Sequence, residues 1–352
     1  MKISNSQADI IFSNRIPDDI DLLITEYGAD NIFMLTESKF HKLWSGDFFS
    51  HFDIPVLTLP AGEESKNIDN VLKIWNFLEI GGAKRDSLLI NIGGGMITDL
   101  GGFAASTFKR GIDVVNIPTT LLAQVDASAG GKTGVNFNGL KNEIGTFYMP
   151  DCVFINTEFL KTLDHADFLS GYAEMLKHGL IFSAVHFGKL RKYNVAEPNY
   201  NLLQPIIKQS INIKKYFVDN DPQEKNIRKA LNFGHTIGHA LESLAMEQQK
   251  PVLHGFAVAW GMIAEMWLSI GKCGFPEQKA KEIRQWIIEI YGKPDFKSSD
   301  YERIFQLTHH DKKNETDQIN FTLISNIGHF VINQNCNKED QIFAALDFLR
   351  QS

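Results

Sequence analysis

The chain has 352 residues, 43% of them hydrophobic, and a formal net charge of -7 at pH 7. That is enough chain for two domains, because single cores stop growing near ~250 to 300 residues, and the acidic balance argues against a nucleic-acid coat or a polybasic membrane surface. Cys152, Cys273 and Cys336 are widely spaced with no C-x-x-C pair, which excludes a disulfide framework or zinc knuckle and suits a reducing cytoplasm.

Residues 1–6 lack an apolar h-region, so no signal peptide is expected. Short β-rich runs follow at 32–35, 56–59, 87–92, 114–117 and 153–155, separated by segments with helical periodicity or turn chemistry. Alternation of this kind predicts an α/β layer with a largely parallel sheet. From about Thr162 onward the periodicity is helical, over 167–180, 200–218, 228–246, 255–270 and 276–291. A β-tinged patch at 318–324 and 328–332 precedes a last helix at 340–350. The apolar run 257–270 is broken by Glu265 and is not read as a membrane span. The boundary is expected near residue 163, dividing an α/β domain, 1–163, from a mainly α-helical domain, 164–352, with the active site in the cleft between them.

In the first domain, the run Leu88 to Asp99 reads as a strand, three glycines and a helix start, a geometry that lets backbone N–H groups meet a pyrophosphate. The match to G-x-G-x-x-G is incomplete because Thr98 holds the last glycine position, so a plain tight turn competes with dinucleotide binding. Gly62 to Lys66 follows another strand and offers a carboxylate for a ribose hydroxyl, or simply a solvated helix start. Gly130-Gly131-Lys132-Thr133 is no Walker A loop, since Asp126 stands where a glycine is required. A glycine-rich loop bearing Lys132, followed by Lys141 and Asn142, still reads as an anion cradle, with Arg110 as a further cation.

The second domain carries Glu174, Lys177 and His178 on one side of a helix, either as part of a metal site or as a solvated charge pair. Its central stretch is Leu231 to Ala240, in which His235 and His239 project from one helical face and can converge on a metal ion, an anion, or both. His254 opens the next helix. A carboxylate with histidines is the ligand set of a catalytic zinc site that leaves positions open for substrate. Lys132, Lys141, Lys177, Lys214, Arg228, Lys312 and Lys313 are too many cations for a neutral substrate, and a ligand with both phosphate and carboxylate fits that charge.

Gly93 to Asp99, Ile117 to Asp126, Gly130 to Thr133, Lys141-Asn142, Gly171 to Lys177, Leu231 to Glu242 and Leu253-His254-Gly255 together resemble the 3-dehydroquinate synthases, members of the sugar-phosphate cyclases. The resemblance runs in order through nearly the whole chain. It implies a Rossmann-like NAD-binding domain, a helical metal- and substrate-binding domain, and a cytoplasmic homodimer of the shikimate pathway, which serves aromatic amino acid biosynthesis. The implied activity is a phosphate-eliminating carbon–oxygen lyase converting 3-deoxy-D-arabino-heptulosonate 7-phosphate to 3-dehydroquinate, with NAD used catalytically and Zn2+ or Co2+ as the metal.

By the same resemblance, Glu174, His235 and His254 hold the metal. Gly94, Gly95, Met96 and Asp99 bind NAD, with Thr119, Thr120, Phe159 and Thr162 nearby and Glu63 and Lys66 towards the ribose. Asp126 and Lys141 stand where cofactor meets substrate. Lys132, which also serves the cofactor, joins Asn142, His239 and one of Lys312 or Lys313 on the phosphate, with Arg110 reaching in from a neighbouring subunit. Lys214 and Arg228 engage the substrate carboxylate, and Lys177, Glu224 and Asn232 complete a hydrogen-bonded wall. The competing readings are another sugar-phosphate cyclase, including one that takes an aminated analogue, a metal-dependent polyol dehydrogenase, and a catalytically dead relative that binds nucleotide as a regulator, against which the intact metal and clamp set counts. The dehydrogenase has no use for a phosphate clamp.

Overall fold

Short apolar runs in the amino-terminal half pair side by side because they are largely buried on both faces, the pattern of a parallel sheet between helix layers. The computed structural model describes residues 8–44, 48–138, 140–309, 319–336 and 338–351, in two units, one ending at Asp164 and the other starting at His165. The first unit runs β1 (Asp9–Phe12), α1 (Ile16–Tyr27), β2 (Ile32–Glu37), α2 (Ser38–Trp44), β3 (Val56–Leu59), α3 (Ile68–Ile80), β4 (Leu88–Gly93) and α4 (Gly95–Thr107). It continues through β5 (Asp113–Pro118), α5 (Leu121–Val125), β6 (Lys132–Phe137), β7 (Leu140–Phe147) and β8 (Cys152–Ile155).

Six strands form one sheet in the order β1-β8-β5-β4-β2-β3, all parallel. Alternate residues feed its two faces. Phe33 and Leu35 of β2 and Leu89 of β4 pack with Val71 and Ile74 of α3 and Leu100 of α4. Ile32, Met34, Leu88, Ile90 and Ile92 pack the other way, against Ile16 and Ile20 of α1 and Phe40 of α2. The sheet reverses its winding beside β4, and ligands of such sheets bind outside the carboxyl ends of the strands at that reversal.

All five expected strands are present to within two residues at either end. Two further features are not predicted by periodicity. β1 is a four-residue edge strand with a mixed exposed and half-buried pattern. β6 and β7 form a separate antiparallel hairpin in which Gly134 faces Gly145, so Lys132 opens a strand and is not on the expected glycine-rich loop.

The second unit runs α6 (His165–Phe182), α7 (Ala184–Lys192), α8 (Tyr200–Asn220), α9 (His235–Glu247), α10 (His254–Cys273), α11 (Glu277–Tyr291) and α12 (Tyr301–His309). A hairpin of β9 (Asn320–Asn326) and β10 (His329–Asn335) and a last helix, α13 (Glu339–Arg350), complete it. α10 is apolar on nearly every side, as befits a helix enclosed by α6, α9, α11, α13 and β9. Among the described residues no helix is long and apolar enough to cross a membrane.

The expected helix 228–246 needs correction. Ile227–Asn232 is a short 3-10 turn, and Gly234, at φ +81°, breaks the path before α9 starts at His235. Arg228 and Asn232 therefore do not share a helix with His235. The break has a packing cause: a Cβ on Gly234 would stand 2.5 Å from Met262 Cγ and 2.9 Å from Val258 O. The approach is reciprocal, since a Cβ on Gly261 would come within 1.9 Å of Gly234 O and 2.7 Å of Gly238 N. Backbone meets backbone there, so Gly261→Ala should destabilise the fold by about 1–3 kcal/mol. Urea denaturation measures this, and an unchanged midpoint would contradict so tight a crossing of α9 and α10.

Candidate metal and cofactor residues

α6 is buried from Phe168 through Ile181, so a carboxylate in its middle sits in an expensive place unless something compensates it. Glu174 occupies that place, fully buried. One of its oxygens pairs with Lys177 Nζ on the same helix. The other, Oε1, lies 3.4 Å from His235 Nε2 and 3.6 Å from His254 Nε2. Neither oxygen makes a well-formed hydrogen bond among the described residues. His235, His239 and His254 each offer a ring nitrogen, all within 4.8 Å of one another. An orphaned buried carboxylate facing imidazole nitrogens fits a divalent metal of the zinc or cobalt kind.

The far side of each ring supports this. His235 Nδ1 lies 3.2 Å from Phe233 O, and His254 Nδ1 lies 3.3 Å from Glu242 Oε2. A carbonyl and a carboxylate only accept, so each Nδ1 carries a proton, and each Nε2 is the nitrogen that a cation would engage, at His254 after the loss of a second proton. Burial pushes the Glu174 carboxyl up, but Lys177 and His235 outweigh it and hold the group well below the usual range. Burial, with Lys177 beside it, lowers His235 to about 4. Burial also opposes the charged form of His254, yet the carboxylates of Glu174 and Glu242 beside it prevail and raise it to about 10.

In the turn Ile227–Asn232 that precedes α9, Arg228 is almost fully buried. Its Nη1 donates to Pro222 O at 2.8 Å. The turn that carries it is organised by Asp221, whose carboxylate accepts from the backbone N–H groups of Lys225, Asn226 and Arg228 at 2.9, 2.6 and 3.1 Å. Burial raises the Asp221 carboxyl and those bonds more than reverse it. Asn232 Nδ2 donates to Glu224 Oε1 at 2.7 Å, so two of the expected wall residues do meet. Lys214, on α8, is buried. Lys312 and Lys313 lie outside the described residues.

In the first unit, β4 runs through Gly93 into α4 with Gly94 at the helix start, where no side chain caps the first turn. Asp99 on α4 accepts from Lys66 Nζ at 2.6 Å, and Lys66 also donates to Asn142 on β7. Burial lowers Lys66, but Asp99 and Glu63 outweigh it and raise it. Glu63 Oε1 accepts from Asn136 Nδ2 at 3.0 Å. Asn142, expected on the phosphate, is thus bonded to Lys66, a residue expected towards the ribose. Thr119 is buried, and Thr120 caps α5 by accepting from Ala123 N at 3.2 Å. Phe159 packs its ring against Phe40 and Trp44, and Thr162 Oγ1 accepts from Trp44 Nε1 at 3.3 Å. Met96 is buried in the α3–α4 core. Asp126 ends α5. Lys132 is exposed, Lys141 half-buried and Arg110 exposed, the last with φ +71° after the end of α4.

Three acidic residues that organise the second unit have no assigned role in the sequence reading: Glu242, Asp221 and Glu265. Glu242 had a signal, because it follows His235 by seven and His239 by three residues and so shares their helical face. Glu265 had one too, as a lone carboxylate in an apolar helix.

Known proteins place the chain further. A family model described as 3-dehydroquinate synthase N-terminal matches residues 56–170, and one described as 3-dehydroquinate synthase C-terminal matches residues 171–314. A 3-dehydroquinate synthase from Parabacteroides distasonis is 46% identical over 351 residues, covering 99% of both chains. Among solved structures, 2-epi-5-epi-valiolone synthase from Streptomyces hygroscopicus subsp. jinggangensis, with NAD+ and Zn2+ bound, superposes with a TM-score of 0.85 at 23% identity over 99% of this chain and 98% of that one. A 2-deoxy-scyllo-inosose synthase complexed with carbaglucose-6-phosphate, NAD+ and Co2+ gives 0.83 at 25% identity, over 96% and 95%. With both halves matched in order and a relative aligned end to end, the chain belongs to the 3-dehydroquinate synthase family.

Proposed function

We propose that the chain converts 3-deoxy-D-arabino-heptulosonate 7-phosphate to 3-dehydroquinate and inorganic phosphate, and that Glu174, His235 and His254 hold its divalent metal ion. The family is one of phosphate-eliminating lyases that use NAD. The observation carrying the metal assignment is the buried Glu174 carboxylate with Nε2 of His235 and His254 at 3.4 and 3.6 Å. The reading is supported by the valiolone and inosose synthases, whose structures hold NAD+ with Zn2+ or Co2+.

When bound, the metal supplies Lewis acidity to a substrate hydroxyl and NAD a reversible hydride acceptor. The chain's own residues supply position and charge. His239 stands beside the metal set, with its ring centroid 5.3 Å from that of His235 and 5.7 Å from that of His254, and serves the substrate phosphate with Lys132, Asn142 and one of Lys312 or Lys313. Lys214 and Arg228 take the carboxylate; both are buried cations, whose burial an anionic substrate offsets. Lys177, Glu224 and Asn232 hold the substrate's hydroxyl groups, and positioning of this kind lowers a barrier by up to ~7 to 11 kcal/mol. Gly94, Gly95 and Asp99 take the NAD pyrophosphate and its surroundings, with Glu63 and Lys66 at the ribose and Asp126, Lys141, Thr119 and Thr120 lining the rest. The NAD role thus falls to residues 1–163 and the metal and substrate role to 164–352. The enzyme works in the cytoplasm as a homodimer in which Arg110 of one subunit serves the phosphate site of the other.

Purified protein supplied with NAD and Co2+ should release inorganic phosphate from the heptulosonate phosphate with no net NADH. Steady NADH build-up on glycerol without phosphate release would show a polyol dehydrogenase instead. A second expectation follows from His254. Its folded value near 10 lies above the unfolded 6.5, so in the metal-free protein the stability it contributes is complete below 6.5 and is lost as pH rises through about 10. Coordination needs the neutral ring, so metal binding between about pH 7 and about pH 9 should release one proton and tighten about tenfold per pH unit. Calorimetry in buffers of different ionisation enthalpy counts that proton, and a count of zero contradicts a protonated His254.

A further inference from the structure

The apolar helix α10 contains one fully buried carboxylate, Glu265, about three turns beyond His254. Both of its oxygens are directed at the start of α9, a different helix. Oε2 accepts from Gly234 N at 2.6 Å and Oε1 from Ile237 N at 3.1 Å. These N–H groups lie on either side of His235, the first residue of α9. The opening turn of a helix leaves N–H groups without intrahelical partners, and Gly234 has no side chain with which to cap them. Glu265 caps α9 from outside, where a carboxylate also meets the favourable end of the helix dipole.

The Gly234 contact reaches further than a cap. Gly234 N–H and Phe233 C=O belong to one planar peptide group, and in a trans peptide they point opposite ways. No cis peptide bond occurs among the described residues. Holding the N–H towards Glu265 therefore turns the carbonyl away from α10, and that carbonyl takes His235 Nδ1 at 3.2 Å. The Nδ1 contact in turn leaves His235 Nε2 for Glu174, 3.4 Å away. A continuous chain of contacts runs from Glu265 through the 233–234 peptide and the imidazole to the metal-facing nitrogen. Hydrogen bonds in series polarise one another, and a partner on the far ring nitrogen fixes a ligand's orientation and strengthens it as a donor. Solvent cannot easily replace the carboxylate, because the α9–α10 crossing brings backbone to backbone at Gly234, Gly238 and Gly261.

We propose that Glu265 is a positioning residue for the metal site, aligning His235 through the 233–234 peptide without touching metal or substrate. The inference rests on the proposed role of His235 as a ligand. Ser269 provides the control: its Oγ donates to the backbone O of Glu265 at 2.7 Å and accepts from Ile324 N at 3.2 Å, so it supports the same stretch of α10 without contact to the carboxylate.

The experiment is Co2+ titration of metal-free enzyme, read by its visible absorption, with thermal unfolding measured alongside. Glu265→Gln leaves one oxygen for two N–H donors and should weaken Co2+ roughly 10- to 100-fold and alter the Co2+ spectrum, while NAD affinity holds. Glu265→Asp, which keeps the charge but withdraws it from both N–H groups, is the second variant and should lose Co2+ affinity likewise. Ser269→Ala should lower the unfolding temperature and leave Co2+ affinity as it was. Wild-type affinity in both Glu265 variants, or an equal loss in Ser269→Ala, overturns the inference and leaves the metal reading standing. A wild-type protein that fails to bind Co2+ at all overturns the metal reading and takes this inference with it.

Discussion

A carboxylate enclosed on every side of a buried helix is the constraint to which the second unit answers. Glu174 cannot be solvated where it stands, and its charge is retained because Lys177 is beside it and imidazole nitrogens face it. A buried charge is tolerated only when paired and hydrogen-bonded, and here the pairing is incomplete without a cation, since neither oxygen has a well-formed hydrogen bond among the described residues. The same arrangement divides the two histidines that face it. His235 sits neutral, with Lys177 nearby, whereas His254 holds a proton between two carboxylates. In the proposed site a divalent ion would take over the role of that proton.

Bringing a carboxylate and two histidines together from three helices requires those helices to be fixed relative to one another. Glycine does this for α9 and α10, by letting their backbones meet closely at Gly234, Gly238 and Gly261. Carboxylates then secure the details. Glu242 holds the ring of His254, Glu265 holds the first turn of α9, and Asp221 gathers three backbone N–H groups under the turn that bears Arg228. Each is an anion whose cost of burial is met by donors of known direction, so each specifies an orientation as well as stabilising it. The proposed metal site is thus assembled from rigid elements, with the cations Lys177, Lys214 and Arg228 buried in the same unit.

Much of this was legible in the chain because the relevant signals are local. The parallel strands are continuous apolar runs, and β2, β3, β4, β5 and β8 fall where those runs are. Glu174, His235 and His254 stand out as residue types with a shared chemistry, and the resemblance to a family ordered them. Features that depend on distant packing were not legible. The β6–β7 hairpin mixes glycine, polar and apolar residues without regular alternation on a two-stranded ladder, and its start read as a glycine-rich loop. Helical periodicity runs straight through Gly234, yet the approach of Met262 and Val258 forces a left-handed residue there and ends the helix path. Asn142 was expected with the phosphate ligands, and only the fold shows it bonded to Lys66. Glu265 was read as the interruption of an apolar run, because its partners lie on a helix that begins thirty residues earlier.

The central claim is that Glu174, His235 and His254 share one metal ion while His239 stays beside it for the substrate. Crystals of the Co2+-loaded enzyme with NAD, measured at the cobalt absorption edge, test this directly. A single anomalous peak bonded to Glu174 and to Nε2 of His235 and His254, with N–metal distances of about 2.0–2.1 Å and His239 farther away, is the result predicted. A peak held by His235, His239 and His254 without Glu174 would contradict it.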